Sequence, residues 1–130
     1  MSTRTTLRPN TVISAGDMSA ATVTSTATIL QSITSLNYAV TWSGTTPIGV
    51  LAVQASDDYK ADGGTVLNAG TWNVVPLNLA GASVTSIPIT GNTGNGMIDI
   101  DGIAAYAVRL LYTKTSGVGT LVAVVTGKVS

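Results

Sequence analysis

Residues 38–55, YAVTWSGTTPIGVLAVQA, decide how the chain is read. Tyr38, Val40 and Trp42 alternate with Ala39, Thr41 and Ser43, the period of two that sends successive side chains to opposite faces of a strand. Gly44-Thr45-Thr46-Pro47-Ile48-Gly49 supplies turn residues, and residues 50–55 return to a β-rich run. The stretch therefore predicts an antiparallel hairpin, with Trp42 anchored in the core.

The same pattern extends outward on both sides. Upstream, Val23, Ala27 and Ile29 fall on one face while Thr22, Thr24, Thr26 and Thr28 fall on the other, which predicts a half-buried strand with threonine toward solvent. Downstream, residues 72–77 and 83–89 are β-rich but contain Pro76 and Pro88, which cannot donate to a ladder and so belong at edges or bulges. Residues 91–96 read as a glycine-rich connection. Met97-Ile98-Asp99-Ile100-Asp101 then places both carboxylates on one side and both isoleucines inward. After a small connector at 102–105 with room for one helical turn, Tyr106, Val108, Leu110 and Tyr112 alternate with Ala107, Arg109, Leu111 and Thr113. Ser116-Gly117-Val118-Gly119 reads as a turn. The final run, residues 120–129, is apolar on both faces and reads as a central strand.

About eight short strands without a helical period argue for an all-β fold, an antiparallel β-sandwich with jelly-roll topology ahead of an immunoglobulin-like one. No repeat of fixed period is present, which leaves a solenoid as a minor alternative. Residues 1–17 carry Arg4 and Arg8 and no apolar periodicity, so they are expected to form an extended N-terminal arm. Residues 18–130 are expected to form a single domain, a size that buries a sizeable core without disulfides or metal.

Composition narrows the chemistry. The chain has no histidine, no cysteine and no glutamate, and only 9% of its residues are charged. Most transition-metal sites and most acid–base mechanisms thus lack their parts. No cofactor is expected. A net charge of zero supplies no basic field for a phosphate backbone, so nucleic acid is not an expected partner. Residues 18–56 carry no charge, but recurrent hydroxyls with Gly44, Pro47 and Gly49 argue against membrane insertion. No apolar block follows the N-terminal arginines, so a secretory signal is not expected.

Few residues offer a site. Asp57, Asp58 and Asp62 could together ligate calcium, although an exposed acidic turn explains them equally well and the spacing is not that of an EF-hand. Asp99 and Asp101, two apart on a strand, stand about 6–7 Å apart, a spacing that any D-x-D strand produces. No S-x-x-K motif supports nucleophilic chemistry by Lys60, Lys114 or Lys128. Among Trp42, Trp72, Tyr59 and Tyr106, only Tyr59, embedded in the acidic loop, has the setting of a binding aromatic; a lid over the sheet's end is the competing role. Catalytic, cofactor and metal sites are thus expected to be absent, and Arg4, Arg8 and Tyr59 are the expected partner-binding residues.

The run Arg109-Leu110-Leu111-Tyr112-Thr113, followed by Ser116-Gly117-x-Gly119-Thr120-Leu121 and ending Gly127-Lys128, resembles a pattern in small structural proteins of bacteriophage virions. The stretch from Trp42-Ser43-Gly44 to Val53-Gln54-Ala55-Ser56-Asp57, followed by Trp72, fits the same resemblance. It implies a β-sandwich that decorates a capsid, forms a spike or fibre, or occupies a joint of the particle. The implied partners are capsid proteins and copies of the chain itself, and the implied location is the virion, after synthesis in the host cytoplasm. A carbohydrate- or receptor-binding module of the same architecture is the alternative.

Overall fold

The computed structural model describes residues 6–30, 33–79 and 81–128, and among them every regular element is a strand. In chain order these are β1 Thr6–Asp17, β2 Thr22–Thr24, β3 Thr28–Ile29, β4 Ser35–Ser56, β5 Lys60–Asp62, β6 Thr65–Asn68, β7 Asn73–Val74, β8 Leu77–Leu79, β9 Ala82–Val84, β10 Ile87–Ile89, β11 Thr93–Asp101 and β12 Ala107–Lys128. All pairings are antiparallel.

Two strands organise the molecule. β4 and β12 are each 22 residues long. They pair along their whole length, from Ser56 opposite Ala107 to Ser35 opposite Lys128. The expected hairpin at 44–49 is therefore absent: residues 38–42 and 50–55 pair with β12, not with each other. The expected turn at 116–119 is absent for the same reason.

The glycines in both stretches serve a bend instead of a reversal. Gly44 stands opposite Gly119 and Thr45 opposite Val118, with register shifts on either side of Ser116. Gly117 has φ 82° and Thr46 has φ 43°, both in the left-handed region. A Cβ on Gly117 would sit 2.0 Å from the Thr46 carbonyl oxygen, and one on Gly44 would sit 2.2 Å from that of Val118. Backbone lies on backbone here, and only a residue without a side chain allows the approach.

The bend also changes which side of each strand is buried. β4 buries Leu36, Tyr38 and Val40 before it and Leu51 and Val53 after it. β12 buries Val108, Leu110 and Tyr112, then Leu121, Ala123 and Val125. Even-numbered positions give way to odd ones on β4, and even to odd again on β12. All these side chains join one core cluster, so a single sheet folds over itself and its two halves make the layers of a sandwich. One layer runs β1-β12-β4-β11, and the other sets β2 and β3 on β12 and β10 and β7 on β4. Each large apolar side chain buried between them stabilises the fold by roughly 1.5–3 kcal/mol. The jelly-roll order is not established by this pairing.

Three further expectations change. Residues 6–17, expected as part of an arm, form β1 and pair with β12 from Thr6 opposite Lys128 to Asp17 opposite Thr120. Register shifts after Leu7, Thr11 and Ile13 break the alternation, so Val12 and Ile13 are both buried and no simple period marks the strand. The run 21–29 is not one strand. Ser25 and Thr26 leave the ladder, donating their N–H groups to Leu110 and Val12 carbonyls, and Thr28 enters the core side at 7% exposure. Residues 102–105 form no helical turn. Pro88, by contrast, lies on β10 at a sheet edge, where its missing N–H costs no ladder bond.

Candidate functional site

Two surface regions gather polar and aromatic side chains, one on each layer. The first begins where β4 ends. Ser56 is buried, and its hydroxyl donates to Asp58 Oδ1 at 2.8 Å while accepting the N–H groups of Asp58 and Tyr59. Asp58 Oδ1 also accepts the Thr71 N–H at 2.6 Å. The Thr71 N–H, with the Ser56 hydroxyl, holds this carboxyl below the usual carboxylate range. Asp57 accepts the Tyr106 N–H at 3.3 Å. The acidic loop thus spends two carboxylates fastening chain segments to each other. Among the described residues no group of three carboxylates is placed to hold a metal ion.

Tyr59 is half-buried, with its ring centroid 5.6 Å from that of Trp72 at an interplanar angle of 55°. The Arg109 guanidinium lies 4.3 Å over the Trp72 ring, and its Nε donates to Gln54 Oε1 at 2.8 Å. Trp72 Nε1 donates to the Ala69 carbonyl. Register explains the gathering: Arg109 on β12 opposes Gln54 on β4, and Gln54 opposes Val74 on β7. Burial among these groups lowers the tendency of Arg109 to stay charged. One face of Trp72 is already occupied by a cation, so the cluster acts first as a clamp that pins residues 57–72 to the outer face. Arg109 and Gln54 carry no motif, and only the strand register, invisible in the sequence, brings them to Trp72.

The second region is a cleft of about 530 Å³ on the outer face of the other layer. Two rows cross it: Asp99, Asn37 and Thr126, then Asp101, Ser35 and Lys128. The Asn37 amide donates to Asp99 Oδ1, and the Ser35 hydroxyl donates to Asp101 Oδ1 at 2.6 Å. Asp99 and Asp101 are exposed and Ile98 and Ile100 buried, as the alternation requires. Each carboxylate has a neutral hydrogen-bond donor beside it. Such a surface can hydrogen-bond hydroxyl-bearing ligands or another protein.

Of the expected partner-binding residues, Arg8 and Tyr59 lie at different layers. Arg4 lies outside the described residues. Arg8 belongs to β1, in the layer that carries the cleft, while Tyr59 follows the far end of β4.

No protein-family model matches the chain, and no curated protein matches its sequence. Among solved structures, the chain is similar to the crystal structure of the SPBc2 prophage-derived protein YomS, with a TM-score of 0.56 at 15% sequence identity. The likeness covers 97% of this chain and 96% of that one. It is a likeness of fold.

Proposed function

We propose that the chain is a non-enzymatic structural protein of a bacteriophage virion, a minor capsid, decoration or spike component that binds capsid proteins and copies of itself. The observation that carries the reading is the end-to-end fold likeness to a prophage-derived protein. The chemistry of the surface supports it. In both polar regions the carboxylates are engaged by neutral donors of the fold itself. A low-charge outer face also packs against neighbours with little desolvation of ions. On a symmetric particle, repetition turns modest contacts into firm attachment.

The test is association with particles. Virions from a phage or induced prophage encoding the chain are purified through a density gradient and quantified by mass spectrometry. The expected result is the chain at fixed stoichiometry to the major capsid protein; its absence from infectious particles refutes the reading.

A second reading, a glycan- or receptor-binding module, is favoured by the cleft, whose Asp99, Asp101, Asn37 and Lys128 offer donors and acceptors to hydroxyl groups. A glycan array whose hits vanish with Asp99→Asn or Asp101→Asn supports it. Hits that vanish with Tyr59→Ala instead place that binding at the clamp, and an array without hits removes the reading.

A further inference from the structure

The sheet edges of this protein are unequal. β10 is three residues long and contains Pro88, β7 has two residues, and β2 and β3 have three and two. β1 carries Pro9 and three register shifts. Short length, proline and bulges are the devices that keep edge strands from pairing with other chains. β11 has none of these three, its only guard being the exposed carboxylates of Asp99 and Asp101. It spans nine residues, Thr93–Asp101, pairs with β4 without a register shift, and contains no proline or lysine. Among the described residues no strand pairs with its far side. A row of backbone donors and acceptors is left there, and Met97, in the middle of the strand, is 73% exposed.

We infer that β11 is a self-pairing edge through which two copies of this chain join their sheets about a two-fold axis at Met97. The inference deepens the proposed function by naming the surface that joins copies, and it rests on that reading of the chain as a self-associating structural protein.

The strand's own sequence selects the occupant and the register. A two-fold axis at Met97 pairs all nine residues, with Thr93 opposite the partner's Asp101 and Asn95 opposite the partner's Asp99. No carboxylate then faces a carboxylate, and each Asp meets a neutral side chain able to donate a hydrogen bond. An axis at Asp99 would instead oppose two like charges, which destabilises a strand pair. Met97 covers Met97 across the axis and removes from water the most exposed large apolar side chain among the described residues. On the inner side the strand offers Gly94, Gly96, Ile98 and Ile100, so no polar side chain is buried by the pairing. The two outer faces become continuous, which sets the cleft of one copy beside that of the other.

The chain has no cysteine, which makes cross-linking a clean test. Facing residues of an antiparallel pair lie about 4.5–5.5 Å apart at Cα, within disulfide range. Purified Met97→Cys is expected to form a disulfide-linked dimer under mild oxidation, Asn95→Cys alone to remain mostly unlinked, and an equimolar mixture of Asn95→Cys with Asp99→Cys to link. In analytical ultracentrifugation the unmodified chain is expected to dimerise and Met97→Lys to weaken the dimer at least about tenfold. A chain that stays monomeric at high concentration, or Met97→Cys that links no faster than Asn95→Cys, overturns the inference. So does a dimer that Met97→Lys leaves intact. These measurements use the purified chain, whereas the virion reading is judged on particles. A chain that pairs at Met97 but is absent from particles removes the virion reading alone, and one present in particles but unpaired removes the edge alone.

Discussion

Gly117→Ala and Gly64→Ala place the same methyl group at nearly the same backbone angle, φ 82° and 85°, with very different surroundings. In both, alanine in the left-handed region costs roughly 1–2 kcal/mol. At Gly64, in the exposed turn between β5 and β6, nothing lies within 4 Å of the new carbon, so strain is the whole effect. At Gly117 the new carbon falls 2.0 Å from the Thr46 carbonyl oxygen and 2.9 Å from the Pro47 Cα. Those atoms belong to the backbone of the paired strand and cannot swing aside. Relieving the contact requires the ladder at the bend to open by more than an ångström, an overpacking penalty of roughly 1–3 kcal/mol. Gly117→Ala is therefore expected to lose roughly 2–5 kcal/mol in all, a large share of the stability of a domain this size. Urea unfolding reads it: the midpoint falls much further for Gly117→Ala than for Gly64→Ala, with the slope unchanged. Equal losses within about 0.5 kcal/mol would show that the bend does not depend on backbone contact, and would refute the account of how one sheet makes two layers.

Tyr38 is fully buried, burial pushes its phenol well above the ordinary range, and its hydroxyl has no partner among the described residues. Tyr38→Phe is expected to be neutral or to stabilise by up to about 1–2 kcal/mol in a thermal melt; a clear loss would reveal a partner for the hydroxyl. Asp17 and Asp58 are both held below their ordinary range, Asp17 by the Ser19 hydroxyl and N–H and Asp58 by Thr71 and Ser56. Each binds fewer protons folded than unfolded, so its contribution is complete above about pH 4 and fades as acid takes the pH down through the lower folded value. Asp58→Asn should flatten the melting temperature between pH 5 and 2 relative to the parent chain, and an unchanged acid slope would count against the Thr71 contact. Arg109→Met removes the cation from Trp72 and the bond to Gln54, with an expected loss of roughly 1 kcal/mol and a shift in tryptophan emission. Unchanged emission would show that the guanidinium does not cover the ring.

Strand chemistry was legible where the ladder is regular. The alternation at 97–101 put Asp99 and Asp101 outward and Ile98 and Ile100 inward, and the apolar run at 120–129 marked the centre of the sheet, where β12 lies between β1 and β4. Irregular pairing hid the rest. Gly44, Pro47 and Gly49 carry the composition of a tight turn, and nothing local separates a chain reversal from a bend at which a distant strand bends in step. The shifts in β1 left the neighbours Val12 and Ile13 both buried and erased the period that would have drawn residues 6–17 out of a supposed arm. Of the clamp, Tyr59 stood out beside its acidic neighbours, whereas Arg109 and Gln54 meet only because strands far apart in sequence align them.

Because β4 belongs to both layers and is paired along its whole length only by β12, the order of synthesis matters. The ribosome delivers β4 long before the residues that close its ladder, and Ser35 must wait for Lys128. Pairing between segments so distant carries a high loop-closure penalty and slows folding toward the millisecond-to-second range. During translation the nascent chain therefore holds β4 with its β12 side unpaired, the interval in which a chaperone or a premature encounter with another copy decides the yield of native protein.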